Sequence, residues 1–132
     1  IDSFLDADLV FAREAQVYLL GIDKISEEGY QRMSAAYEFY LSGIEATLSD
    51  NEYLAGNSLT IADISFVCDF AQFLREGHYE EQLAGQGLSL ISEGGREEYP
   101  RAYEHMLELN ARPEFSEVMG SYLSWYRRKL EG

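Results

Sequence analysis

The 132-residue chain reads as an all-α protein: a bundle of five to six helices around one central buried helix. Three observations predict this. Apolar residues recur at helical spacing along most of the chain, and no stretch alternates convincingly as a strand does. A helix-start signature at Thr60 opens a segment that is apolar almost all round, as the innermost helix of a bundle is. Hydrophobic residues make up 46% of the chain without an excess of Gly or Pro, enough for the core of one domain over residues 1–132.

The first helix is expected from about Asp2 to Ile22, capped by Asp2 or Ser3. Phe4, Phe11, Ala15, Tyr18 and Ile22 form one face, and Leu5, Leu9, Ala12 and Leu19 a second. A helix apolar on two faces touches a core and a partner. The second helix is expected from Ser26, its cap, to Leu48. Glu27 and Glu28 in its first turn suit the helix dipole. Its stripe is Met33, Tyr37, Tyr40, Leu41, Ile44 and Leu48, with Tyr30 and Phe39 partly outside it. The short link between these helices makes them antiparallel neighbours.

Residues 49–58 are rich in turn formers and read as a surface connection with Leu54 tucked in. Thr60 and Asp63 then have the spacing of a capping box, with Leu59 and Ile64 placed as its hydrophobic staple. The central helix follows through Ile64, Phe66, Val67, Cys68, Phe70, Ala71, Phe73 and Leu74. From Gly77 to Tyr99 the pattern weakens. A short helix is expected from His78 to Ala84, and Gly85, Gly87, Gly94 and Gly95 read as breakers. Connections of this length are often mobile or functional. Pro100 suits the first turn of the next helix, with Ala102, Tyr103, Met106, Leu107 and Asn110 at helical spacing. Pro113 starts the last, with Phe115, Val118, Met119, Tyr122, Leu123 and Tyr126 inward and Gly120 as a bend.

The net charge of −14 and pI near 4.3 disfavour nucleic acid and anionic membranes as partners. The one basic cluster, Arg127 to Lys129, sits where cations complement a helix C-terminus. No apolar run approaches the about 20 residues of a membrane span. The single cysteine, Cys68, excludes an intrachain disulfide and is expected to be a buried, inert thiol, which fits a reducing cytoplasm. His78 and His105 are far apart, lack carboxylates at ligand spacing and read as surface or packing residues, so no metal site is expected. Asp63 has an ample structural role in its cap. No catalytic constellation emerges from the residues alone. Ile rather than Met opens the chain, which reads as a processed product or a piece of something longer.

Two segments together carry a resemblance. Leu54-Ala55-Gly56-Asn57-Ser58-Leu59-Thr60-Ile61-Ala62-Asp63-Ile64 resembles the entry to the central helix in the C-terminal domain of cytosolic glutathione transferases. Tyr99-Pro100, Tyr103, Met106 and Ala111-Arg112-Pro113-Glu114-Phe115 resemble that family's next two helix starts. The order of helices fits too, so the resemblance covers essentially the whole chain. It implies a preceding thioredoxin-like domain, absent here, that binds glutathione as co-substrate and supplies the Ser, Cys or Tyr activating its thiol. This domain would then wall the pocket for a small, hydrophobic electrophile and form a homodimer through its first two helices, in a cytoplasmic detoxifying enzyme. Catalytic residues would be absent from this chain, which alone would be inactive.

Asp8-Leu9 with Tyr18 also resembles the first helix of pi-class enzymes. There, the Asp reaches the neighbouring subunit's glutathione and the Tyr lines the substrate pocket. The implied substrate-side residues are Asp8 and Tyr18, with Phe11, Ala12 and Ala15 beside them. The alternative role is a non-catalytic interaction module, as similar domains are in elongation-factor and aminoacyl-tRNA synthetase complexes. An unrelated helical bundle is the third reading.

Overall fold

The computed structural model describes residues 2–117 and 128. Among these, the regular elements are helices: α1 (Asp2–Leu20), α2 (Glu27–Asp50), α3 (Ile61–Phe73), α4 (Glu80–Gly85), α5 (Gly95–Glu98) and α6 (Pro100–Asn110). Short 3-10 helices run over Ile22–Lys24 and Leu74–Tyr79, and residues 113–117 are again helical. Helix α1 is already under way at Asp2, so Ser3 lies within it. Val118, Met119, Gly120, Tyr122, Leu123, Tyr126 and the basic cluster, Arg128 apart, lie outside the described residues.

Helix α1 packs along both α2 and α3, and α6 closes on α2 and α3. The predicted inner faces form one core: Phe11, Ala15 and Tyr18 from α1, Ile22 from the 3-10 turn that follows it, and Met33, Tyr37, Tyr40, Leu41 and Ile44 from α2. Phe66, Val67, Phe70, Ala71 and Phe73 of α3 fill its middle. Burying each large apolar side chain stabilises by about 1.5–3 kcal/mol, set against the entropy of ordering it. The rings interlock. Phe11 stacks on Tyr40 with centroids 4.8 Å apart, and Phe70 meets Tyr103 edge-on at 5.0 Å.

Helix α3 is less uniformly buried than its composition implies. Ile61, Ile64 and Cys68 form an exposed stripe down one side, because a helix that packs on α1 and α6 leaves a third side open. Leu59 and Ile64, placed as a staple, are both exposed. Cys68 corrects the expectation of a buried thiol, although Phe66 and Phe70 on either side of it are fully buried.

Side chains carry several helix ends. Ser26 Oγ accepts from the Gly29 amide at 2.9 Å and caps α2 as expected. The start of α6 has no cap of its own, since its N-cap residue is Tyr99. Glu45 on α2 supplies one. Its carboxylate accepts from the Arg101 and Ala102 amides at 3.1 and 2.9 Å. Leu54 is buried in the 51–60 connection, where Gly56 takes a φ of +119° that only glycine adopts readily. Gly95, read as a breaker, instead begins α5. There the backbone lies so close to the hydroxyls of Tyr37 and Tyr103 that a Cβ would collide with both.

Candidate functional site

The five residues that the resemblance marks as substrate-side lie along one flank of α1. Phe11, Ala15 and Tyr18 are each 1% exposed and belong to the core, Ala12 is half-buried, and Asp8 is 7% exposed. Periodicity places Phe11, Ala15 and Tyr18 on the inner face, and there they are found. On the outer side, α1 presents Leu9, Val10, Val17 and Leu20 to solvent, the last 82% exposed. Of the predicted second face, only Leu9 is exposed; Leu5, Ala12 and Leu19 are half-buried, Leu19 against the core, and the exposed apolar side is completed by Val10, Val17 and Leu20 instead.

Asp8 sits at the seam between α1 and its neighbours. The Tyr40 hydroxyl donates to Asp8 Oδ1 at 2.7 Å. Desolvation, and then the hydrogen bond and charge of Asp8, push Asp69 up to about 8. The neighbouring Cys68 thiol is pushed up by desolvation and by the charges of Asp69 and Asp8, so its exposed sulfur remains a thiol at neutral pH.

Tyr18 donates its hydroxyl to Glu76 Oε1 at 2.8 Å. Glu76 is fully buried at the end of α3 and accepts three further hydrogen bonds: from the Ile91 amide at 3.1 Å, the Ser92 amide at 2.8 Å and the Ser92 hydroxyl at 2.6 Å. Burial pushes its carboxyl above the usual range against the pull of these donors. Gln86 adds a second tie. Its side chain accepts from the Ile25 amide and donates to the Ile22 carbonyl, both at 2.9 Å. The long connection after Gly77 is thus fastened to the bundle at two points. Sequence reasoning passed over Glu76. Locally it follows Arg75 and reads as one more surface charge, so the sequence offered no usable signal.

Asp63 also does more than its capping box predicts. Its Oδ2 accepts from the Thr60 amide at 2.9 Å, the expected reciprocal bond. Its Oδ1 accepts from the Leu54 amide at 3.0 Å and meets His105 Nε2 of α6 at 2.9 Å. Burial pushes its carboxyl up, but the bonds from His105, Leu54 and Thr60 prevail and hold it below the usual carboxylate range. His105 is a packing histidine, as read, but it has a carboxylate partner 42 residues away that its sequence neighbours do not reveal.

Among the described residues, cavities open on the surface in at least three places. One of about 340 Å³ lies between α1 and α2, walled by Phe4, Ala7, Phe39, Tyr40, Ser42 and Gly43. One of about 190 Å³ lies between the C-terminal ends of α1 and α3, walled by Gln16, Leu19, Leu20, Gln72, Arg75 and Tyr79. A third, of about 330 Å³, lies where the end of α2 meets α6, with His105 in its lining. None of the three is lined by Asp8, Phe11, Ala12, Ala15 or Tyr18. Among the described residues, no group of three His, Cys, Asp or Glu is placed to hold a metal ion, and no helix is long and apolar enough to cross a membrane.

No curated protein and no solved structure matches the chain. The family model of the glutathione S-transferase C-terminal domain matches residues 1–113. With the helical core, the Thr60–Asp63 helix entry and the Pro100 helix start in place, the match identifies this chain as a member of the glutathione S-transferase family, carrying its C-terminal domain.

Proposed function

We propose that this chain is the substrate-pocket and dimerisation half of a glutathione transferase that joins glutathione to small, hydrophobic electrophiles. The observation that carries the proposal is the uncovered apolar side of α1. A helix whose inner face is complete gains nothing from exposing Leu9, Val10, Val17 and Leu20 unless something covers them. A thioredoxin-like domain preceding residue 1 and a second copy at α1 and α2 are the occupants proposed, the latter at the cavity that holds the exposed Phe39. The preceding domain binds glutathione and lowers the pKa of its thiol. The thiolate sulfur then bonds to the electrophilic carbon as the leaving group departs or the double bond takes up the electron pair. Asp8 pairs with a ligand ammonium group, and Ala12 faces the pocket, with Phe11, Ala15 and Tyr18 as its backing. The setting proposed is the cytoplasm, and the role detoxification.

A second reading is favoured by one observation: Phe11, Ala15 and Tyr18 have almost no surface to offer a substrate. On that reading the chain is a non-catalytic assembly module of the same fold. The test joins the chain to its native upstream sequence and measures glutathione conjugation to a model electrophile, with the 132-residue chain alone as control. Conjugation by the joined protein and none by the chain alone is expected. An upstream region without a thioredoxin-like domain would sink the enzymatic reading, and a strict monomer in the ultracentrifuge would sink the dimer.

A further inference from the structure

Residues 88–93 run between two glycines held in the left-handed region, Gly87 at φ +77° and Gly94 at φ +73°. A Cβ at either would meet open space, so these glycines serve the backbone conformation and not a close approach. The segment between them holds no helix or strand. Leu88, Leu90 and Ile91 rest half-buried on the core, while Ser89 and Glu93 are exposed. The Tyr30 hydroxyl of α2 donates to the Ser89 carbonyl at 2.6 Å. Glu76 accepts from the Ile91 amide and from the amide and hydroxyl of Ser92. Its Oε1 takes the Tyr18 hydroxyl as well as the Ile91 amide, so the phenol oxygen and the segment lie within about 6 Å of each other. The rings of Tyr18 and Tyr30 are neighbours, with centroids 6.4 Å apart. Residues 89–92 are thus tied to the corner where these two tyrosines meet.

We propose that residues 88–93 form a lid over Tyr18, hinged at Gly87 and Gly94 and latched by Glu76, whose opening gives small ligands access to that flank of α1. The access rests on the substrate-pocket reading above; the lid does not. With the lid closed, Tyr18 is 1% exposed. Opening uncovers its hydroxyl end, which is how an enclosed side chain can meet a ligand.

The latch balances two opposed effects. Four donors on two oxygens suit an ionised carboxylate, which only accepts, and each bond to it is charge-assisted. Against them, Glu76 is fully buried, and taking a charge out of water is unfavourable. Burial pushes its carboxyl above the usual range even with these donors upon it. Opening returns the carboxylate and its donors to water together, so what is lost in bonds is largely recovered in hydration. Segments with few buried apolar contacts open ahead of the whole domain.

The test is native-state amide exchange by NMR on the 132-residue chain, repeated at low urea concentrations. The Ile91, Ser92 and Glu93 amides are expected to exchange at least about tenfold faster than the slowest amides of α1 and α3, with little dependence on urea, because a local opening exposes little surface. Ser92→Ala removes one bond to a charged acceptor and is expected to speed exchange at Ile91 and Glu93 about tenfold. Lid amides that share the rate and the urea dependence of the core overturn the lid, since the segment would then open only with the whole domain. Exchange at Ile91 unchanged by Ser92→Ala overturns Glu76 as the latch. If the variant fails to fold, the urea dependence in the parent still decides. In the chain joined to its native upstream sequence, Ser92→Ala is expected to lower the KM for a model electrophile by up to the same tenfold, as a larger open fraction requires. An unchanged KM beside faster lid exchange overturns the access. No conjugation by either joined protein overturns the transferase reading, and with it the access, while the exchange data judge the lid on their own.

Discussion

Asp63→Asn is the substitution whose cost follows most directly from the geometry. The amide is the same size as the carboxylate, so packing is conserved and only the bonding changes. Its nitrogen must occupy either the Oδ1 or the Oδ2 position. At Oδ1 it would face two partners, the Leu54 amide and His105 Nε2. At Oδ2 it faces the Thr60 amide. The second choice is cheaper and still sets a donor against a donor. One unmet backbone N–H costs about 1–3 kcal/mol, and loss of the reciprocal cap with its charge adds about 1 kcal/mol. The expected loss is about 2–4 kcal/mol, a large share of the stability of any single domain. In a domain of this size that lowers Tm by about 6–15 °C. Thermal and urea unfolding, followed by circular dichroism, measure it. Because Asp63 is held below its unfolded value, its contribution is present above about pH 4 and lost as the pH falls through the folded value. The gap between parent and variant is therefore widest at neutral pH and narrows in acid. A double-mutant cycle with His105→Phe is expected to return a coupling of about 0.5–3 kcal/mol. A loss under about 0.5 kcal/mol for Asp63→Asn at neutral pH would refute the reasoning.

Three further outcomes are expected. Glu76→Gln keeps the shape but turns a donor toward Ser92 or toward Tyr18 and Ile91. It should cost about 1–3 kcal/mol and speed amide exchange at Ile91 and Ser92, read by hydrogen-exchange NMR. Gly95→Ala should cost about 1–3 kcal/mol in urea unfolding, since the two tyrosines it would strike are buried and bonded to each other at 2.9 Å. Cys68 should react fully with a maleimide in the folded chain, but slowly at neutral pH. A thiol that reacts only after denaturation would contradict its exposure.

What was legible in the sequence was whatever local spacing encodes. The inner stripes of α1 and α2, the Ser26 cap, the Thr60–Asp63 box, buried Leu54 and the Pro100 start all follow from residues within a turn of one another. Three kinds of information were not local. The partnership of Asp63 with His105 and of Glu76 with Ser92 joins residues 42 and 16 positions apart. Composition could not say which side of α3 stays open, so Cys68 was placed inside when it lies on an exposed side of the helix. The fastening of Ile91 and Ser92 depends on a buried acid, a residue type that pattern reading assigns to the surface. For the candidate site, the helix and the flank were readable, but the engagement of Asp8 by Tyr40 was not. Spacing on one helix carries no record of what the neighbouring helices bring to it.

The tie between Glu45 and the start of α6 bears on the order in which the bundle assembles. A helix as short as α6 is costly to nucleate alone, and Tyr99 offers its first amides no acceptor. Their partner arrives only when α2, more than 50 positions earlier, is already formed and in place. Helix α6 is thus templated rather than self-starting. Its formation and the docking of α2 become a single event, and the last turns of the described chain fold only on a surface that the first half has built.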